Sequence, residues 1–181
     1  MILRFITFIL NIFDNYQKRR ITYILKNIFN KNKMGVIIDV GAHKGETVDY
    51  FLKFFLFKKI YSFEPNPSSF KFLKKKKISL DKKKQSKIDL FNFALGEKKS
   101  KINFYSGKES SSSTIHNINF TSNYYKKKNK YLNPFSQNIK TFKKIIVNSD
   151  TLRNFIISNN IKIIDLLKID TEGSEFNVIK G

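Results

Sequence analysis

Val36-Ile-Ile-Asp-Val-Gly-Ala-His-Lys-Gly-Glu-Thr47 is the stretch that decides the fold. Val36, Ile37, Ile38 and Val40, interrupted by the carboxylate Asp39, form a β-branched run suited to a buried parallel strand. The run breaks over Gly41 to Gly45, and apolar residues return at helical spacing: Val48, Phe51, Leu52, Phe55 and Leu56. A strand, a tight turn and a helix in that order set free helix N–H groups at the carboxyl end of a sheet, where small polar ligands bind. Gly41 and Gly45 let the backbone turn sharply and let a ligand approach it without meeting a Cβ. The spacing is D-x-G-x-x-x-G, which matches neither the dinucleotide fingerprint nor the P-loop and suits a ligand with no pyrophosphate. A plain strand-to-helix connection also uses glycine, so the turn alone leaves the choice open.

Downstream, Lys59 to Pro65 predicts a second strand ending in Glu64, with Asn66 as N-cap and Pro67 as first residue of a helix that buries Phe70 and Leu73. Glu64 then occupies the position where doubly wound folds place the acid that accepts hydrogen bonds from a ribose diol. Lys74 to Lys87 reads as a helix end and a loop, and Ile88 to Leu95 as strand three, with Asp89 and Asn92 as polar interruptions. After a turn at Gly96 to Ser100, Lys101 to Tyr105 alternates as an added strand. Gly107 to Asn123, which contains Ser110 to Thr114 and His116, predicts a mobile loop over the sheet's carboxyl edge. Tyr124 to Lys144, with Pro134, reads as irregular, and Ile145 to Asn148 as a short strand. Ser149 or Asp150 caps a helix to about Asn159. Ile163 to Asp170 predicts the next parallel strand, and Ser174 to Lys180 starts another helix. The fold class is α/β, a Rossmann-like, doubly wound, largely parallel sheet.

Composition excludes some chemistries. The 181 residues include no cysteine, so there is no disulfide framework, thiolate metal site or cysteine nucleophile. The net charge of +21 invites a nucleic-acid reading. The excess is nearly all Lys, however, and accompanies many Asn, Ile and Phe, as an AT-rich coding sequence produces without selection for a partner. Arg, which makes the bidentate phosphate and guanine contacts, is scarce, so no specific nucleic-acid partner is expected. Residues 1–33 form an N-terminal amphipathic helical segment, and 34–181 the main domain. The apolar run Met1 to Phe13 is too short to span a bilayer, and its basic residues Lys18, Arg19 and Arg20 follow it, unlike those of a signal peptide. Residues 2–30 either pack on the domain or lie on a membrane surface, and the expected location is cytoplasmic or peripheral to a membrane.

Four stretches, in order, resemble the FkbM-type methyltransferases that use S-adenosylmethionine: Ile38 to Gly45; Phe63 to Pro67 with Phe70 and Leu73; Asn92 to Gly96 running on to Phe104-Tyr105; and Asp165 to Glu175 with Ile179 to Gly181. The resemblance covers roughly Val36 to Gly181 and implies a class I methyltransferase fold that methylates a hydroxyl of a sugar, glycan or polyketide-like acceptor. It further implies that Gly41 and Gly45 meet the methionyl end of the cofactor, with Asp39 available to its amino group. By the same resemblance Glu64 takes the ribose diol, and Asp89 and Asn92 lie near the adenine. Asp170 or Glu172, at the end of strand four, is placed to act as base on the acceptor, with His116 in the loop above, and no metal is implied. The rivals are a nucleic-acid methyltransferase and a non-catalytic cofactor-binding module. Amino-methylating enzymes resemble one another in [DN]-P-P-[FYW] after strand four, where this chain reads Asp170-Thr-Glu-Gly; Asn133-Pro-Phe135 is a partial lookalike elsewhere. The class I order, 3-2-1-4-5-7-6, leaves strands five to seven without candidates, so the chain is expected to be an N-terminal fragment, inactive alone.

Overall fold

The computed structural model describes residues 2–29, 33–106 and 143–181, with side chains from Asn15 onward. The chain order is α1 (Ile2–Ile28), β1 (Lys33–Val40), α2 (Glu46–Phe54), β2 (Leu56–Phe63), α3 (Pro67–Ser79), α4 (Lys82–Gln85), β3 (Ile88–Phe91), β4 (Ala94–Leu95), β5 (Ser100–Ser106), β6 (Lys143–Asp150), α5 (Leu152–Ser158), β7 (Leu166–Ile169) and α6 (Glu175–Lys180). The central sheet has the order β3-β2-β1-β7 and is parallel throughout. In it β1, the strand before the glycine turn, lies between β2 and β7, which explains why Ile37 and Ile38 are fully buried. A second sheet, β4-β6-β5, pairs β5 and β6 antiparallel.

Two apolar layers sandwich the central sheet. On one face Ile37, Ile60 and Ile88 pack with Val48, Phe51 and Phe55 from the α2 region and Leu73 from α3. On the other, Ile38, Val40 and Phe63 pack with Leu152 and Phe155 of α5 and Val178 of α6. Neighbouring residues of β1 thus serve opposite layers, as the period of a strand requires. Phe155 meets Phe63, Phe91 and Tyr61 edge-on at centroid distances of 4.7, 4.9 and 5.3 Å, the tilted geometry aromatic quadrupoles favour.

Several boundaries differ from the sequence reading. The helix after the turn stops at Phe54: Phe55 is extended, and Leu56 already begins β2. Lys74 continues α3 to Ser79, and a further turn, α4, is capped by Asp81 through Lys84 N–H. The expected third strand, Ile88 to Leu95, is two strands. The Asn92 amide donates to the carbonyls of Glu64 and Pro65, which breaks the run, and Ala94–Leu95 leaves the central sheet to pair with Ser149–Asp150. The strand expected from Ile145 begins at Lys143, and the helix after it is capped by Thr151, whose hydroxyl accepts from Asn154 N–H. Strand four begins at Leu166 rather than Ile163, because Asp165 turns its carboxylate back to accept the N–H groups of Gly35 and Val36 at 3.0 and 2.8 Å. His116, Ser110 to Thr114 and Asn133 to Phe135 lie outside the described residues.

Candidate functional site

The carboxyl ends of β1, β2 and β7 open onto a cavity of about 530 Å³. Its wall includes Gly41, Ala42 and His43 of the glycine turn, Glu64 after β2, Phe93 and Ala94, and Asp170, Thr171 and Glu172 after β7. Sequence requires this convergence: each βα turn of a parallel sheet falls at the same end, so short motifs distant in the chain meet.

Gly41 lies at φ 79°. A Cβ there would sit 1.9 Å from the carbonyl oxygen of Asp170, so the β1 and β7 ends approach only because the side chain is a hydrogen. Gly45, at φ 90°, serves helix packing instead. It precedes α2, and a Cβ would meet Leu73 Cδ1 at 2.8 Å, so it seats α2 against α3 and does not line the cavity. His43 takes φ 49°, a left-handed conformation costly for a residue with a Cβ, and so aims its N–H at Glu64.

Glu64 is 6% exposed. Its Oε2 accepts the His43 N–H and its Oε1 the Asn66 N–H, both at 2.8 Å. A carboxylate has about four lone-pair sites, so acceptor capacity remains on each oxygen after these bonds. Burial pushes the Glu64 carboxyl above the ordinary range, and the two backbone donors partly offset this. Asn66 is held as the N-cap of α3 through Ser68 N–H and donates its amide to Ser106 Oγ, fixing the turn that presents Glu64.

Asp39 does not reach the cavity wall. It is fully buried and lies 3.1 Å from Lys168 Nζ, which also donates to Gly41 O at 2.9 Å and stands 3.7 Å from Asp170 Oδ2. Burial raises the Asp39 pKa, against the pull of the Lys168 charge. Lys168, like Glu46 of the cavity wall, is a site residue that sequence reasoning missed; the available signal for Lys168 was a lone cation inside the apolar strand Leu166–Ile169. Asp89 is likewise away from the cavity, engaged by Lys59 at 2.8 Å and Lys77 at 3.8 Å. Asn92 shapes the backbone behind Glu64 rather than lining the space.

Asp170 and Glu172 do line it. The turn they share is clamped by Glu175, whose Oε1 accepts Thr171 N–H, Thr171 Oγ1–H and Gly173 N–H at 2.9, 3.1 and 3.2 Å. Its own backbone N–H first, and then those donors, hold the Glu175 carboxyl down at about 2. Glu172 itself adopts φ 54°, beside Gly173 at φ 106°. Glu46, Glu64, Asp170 and Glu172 give the cavity four carboxylates, against Lys168 as the lysine among the described lining residues. A cation is the ligand such a lining favours.

A parallel β3-β2-β1-β7 order with a glycine turn after β1 and a buried acid after β2 defines a Rossmann-like domain with a ligand site at the carboxyl ends of its strands. The sequence profile of the methyltransferase FkbM domain matches residues 39–181, and the chain belongs to that family. No curated protein matches it. Among solved structures it is similar to the crystal structure of methyltransferase FkbM from Methylobacillus flagellatus KT, with a TM-score of 0.50 and 16% identity. The match covers 80% of this chain and 28% of that one, and at this identity it shows the fold.

Proposed function

We propose that the chain binds S-adenosylmethionine and forms the cofactor side of an O-methyltransferase that modifies a hydroxyl of a sugar, glycan or polyketide-like acceptor. The observation that carries this reading is Glu64: a buried carboxylate, clamped by two backbone N–H groups, that keeps lone pairs for a diol on a cavity wall. The residues present fit the cofactor. Gly41 leaves the backbone bare for close approach, and the acidic lining suits the cofactor's sulfonium and amino charges. When bound, the cofactor supplies a methyl group already activated by the positive sulfur.

The protein's share of the work is then alignment and proton removal. Glu64 would orient the ribose, and Gly41 to His43 the methionyl end. Phe93, Leu95 and Phe104 provide an apolar wall that excludes water from that side. Asp170 or Glu172, at the end of β7, would accept the proton lost by the acceptor oxygen at a carboxylate oxygen. Asp39 would act only through Lys168, by fixing the strand end that carries Asp170.

Calorimetric titration of wild type and Glu64→Ala with S-adenosylmethionine tests the reading. Loss of the anionic acceptor should weaken binding by about 1.5–3 kcal/mol. Unchanged affinity, or tighter binding of NAD than of S-adenosylmethionine by wild type, refutes it. Mass spectrometry of cell-surface glycans with and without the gene then tests the acceptor class.

A further inference from the structure

The helix α1 shows two faces of different kinds. Thr22 Oγ1 lies 2.7 Å from Tyr50 OH, and Leu25 and Phe29 pack against the core layer beneath α2. Those residues, at positions 22, 25 and 29, define the face turned to the domain. Displaced by about 100° around the helix, Ile21, Ile24 and Ile28 repeat the same spacing, yet they are 49%, 50% and 65% exposed. A contiguous apolar stripe of this kind marks a contact surface rather than scattered exposure.

Charge identifies the occupant. Over Ile2–Ile28 the sequence sets Arg4, Lys18, Arg19, Arg20 and Lys26 against a single carboxylate, Asp14. Helical spacing puts Arg20 beside the isoleucine stripe on the side away from the domain, whereas Lys18, one turn before Thr22, continues the domain-side row 18, 22, 25 and 29; both are exposed. The long stem of Arg20 lets its charged head reach outward beside the apolar stripe. The Arg20 guanidinium also sits 5.9 Å from the ring centre of Tyr16, an amphipathic pair suited to headgroup level. A second copy would bring the same cations to the same stripe in a protein of net charge +21, so self-association is opposed by repulsion. A nucleic acid would satisfy the cations and leave the isoleucines in water. Among the described residues no helix is long and apolar enough to cross a membrane, so the helix would lie in the surface plane.

We propose that α1 docks the methyltransferase domain on an anionic lipid surface, with Ile21, Ile24 and Ile28 at the acyl boundary and Arg20 on headgroup phosphates. This goes beyond the cofactor reading and shares no residue with it. Flotation of the protein with vesicles of phosphatidylcholine and phosphatidylglycerol in equal parts, and with phosphatidylcholine alone, tests it. Retention is expected on the anionic vesicles only, and added salt should weaken it. Arg20→Ala should lower the partition coefficient about fivefold, and Ile24→Glu with Ile28→Glu should abolish retention while the melting temperature stays within a few degrees. Absence of retention, equal retention on both vesicle types, or a solution dimer that dissociates in the Ile24→Glu, Ile28→Glu variant each overturns the proposal; the last would assign the stripe to a second copy.

Discussion

Lys168 Nζ stands within reach of three oxygens, at 2.9 Å from Gly41 O, 3.1 Å from Asp39 Oδ1 and 3.7 Å from Asp170 Oδ2. It therefore joins the end of β1 to the end of β7 and supplies the counter-charge of a fully buried carboxylate. Asp39 has its pKa raised by burial from the ordinary 3.8, so the stability it contributes is complete below 3.8 and is lost as pH rises through the folded value. Lys168→Met removes the charge that limits that rise. Breaking a buried pair on one side costs about 3–5 kcal/mol, and the 28% exposure of the Lys168 side chain puts the loss at the low end, near 3 kcal/mol. The loss should be largest at neutral pH and shrink toward about pH 4, where Asp39 no longer has to ionise. Urea denaturation at both pH values checks this, and adding Asp39→Asn should recover most of the stability at neutral pH. Equal losses at both pH values would show that Lys168 acts through packing instead.

At the scale of elements, the turn between β7 and α6 depends on one carboxylate. Glu175 gathers the donors of Thr171 and Gly173 and thereby shapes the segment that presents Asp170 and Glu172 to the cavity. Its pKa is lowered from 4.5 to about 2, so the clamp is at full strength above 4.5 and is lost as pH falls through about 2. Glu175→Ala should speed amide exchange at Thr171 and Gly173 about fivefold, as for a solvent-screened interaction near 1 kcal/mol. Wild-type protection there should weaken as pH falls from 4.5 to about 2, once intrinsic exchange rates are divided out, and the variant should lack that dependence. The turn illustrates what the sequence discloses and what it withholds. β1, the capped start of α3 and the place of Glu64 were legible because β-branched runs, Asn-Pro caps and glycine turns carry their geometry locally. The split of the third strand was not, because it rests on the Asn92 amide bonding to carbonyls 27 and 28 residues earlier in the chain. The positions of Asp39, Gly45 and Asp89 away from the cavity wall were obscured for the same reason: Lys168, Leu73 and the pair Lys59 and Lys77 reach them only in the folded chain.

Over the whole molecule, charge is divided rather than uniform. The chain carries +21, while the described lining of its cavity is dominated by Glu46, Glu64, Asp170 and Glu172. Lysines crowd α3 and α4, where Lys71, Lys74, Lys75, Lys82, Lys83 and Lys84 are all exposed. Such a surface attracts any polyanion by releasing its counterions, but it offers point charges without the planar fork that reads a base edge. The acidic site would repel a phosphate backbone that approached it, so the surface that attracts nucleic acid and the cavity that would act on it are electrostatically opposed. Binding of DNA or RNA should accordingly be indifferent to sequence, with the logarithm of the association constant falling linearly with the logarithm of salt concentration. Fluorescence anisotropy with several unrelated duplexes, across a salt series, gives that slope directly. A set of near-coincident lines that reaches baseline at physiological salt is the expected result. One duplex retained there while the others dissociate would mean that the lysine excess includes a specific recognition surface, and the acceptor would then have to be sought among nucleic acids rather than among sugar or polyketide hydroxyls.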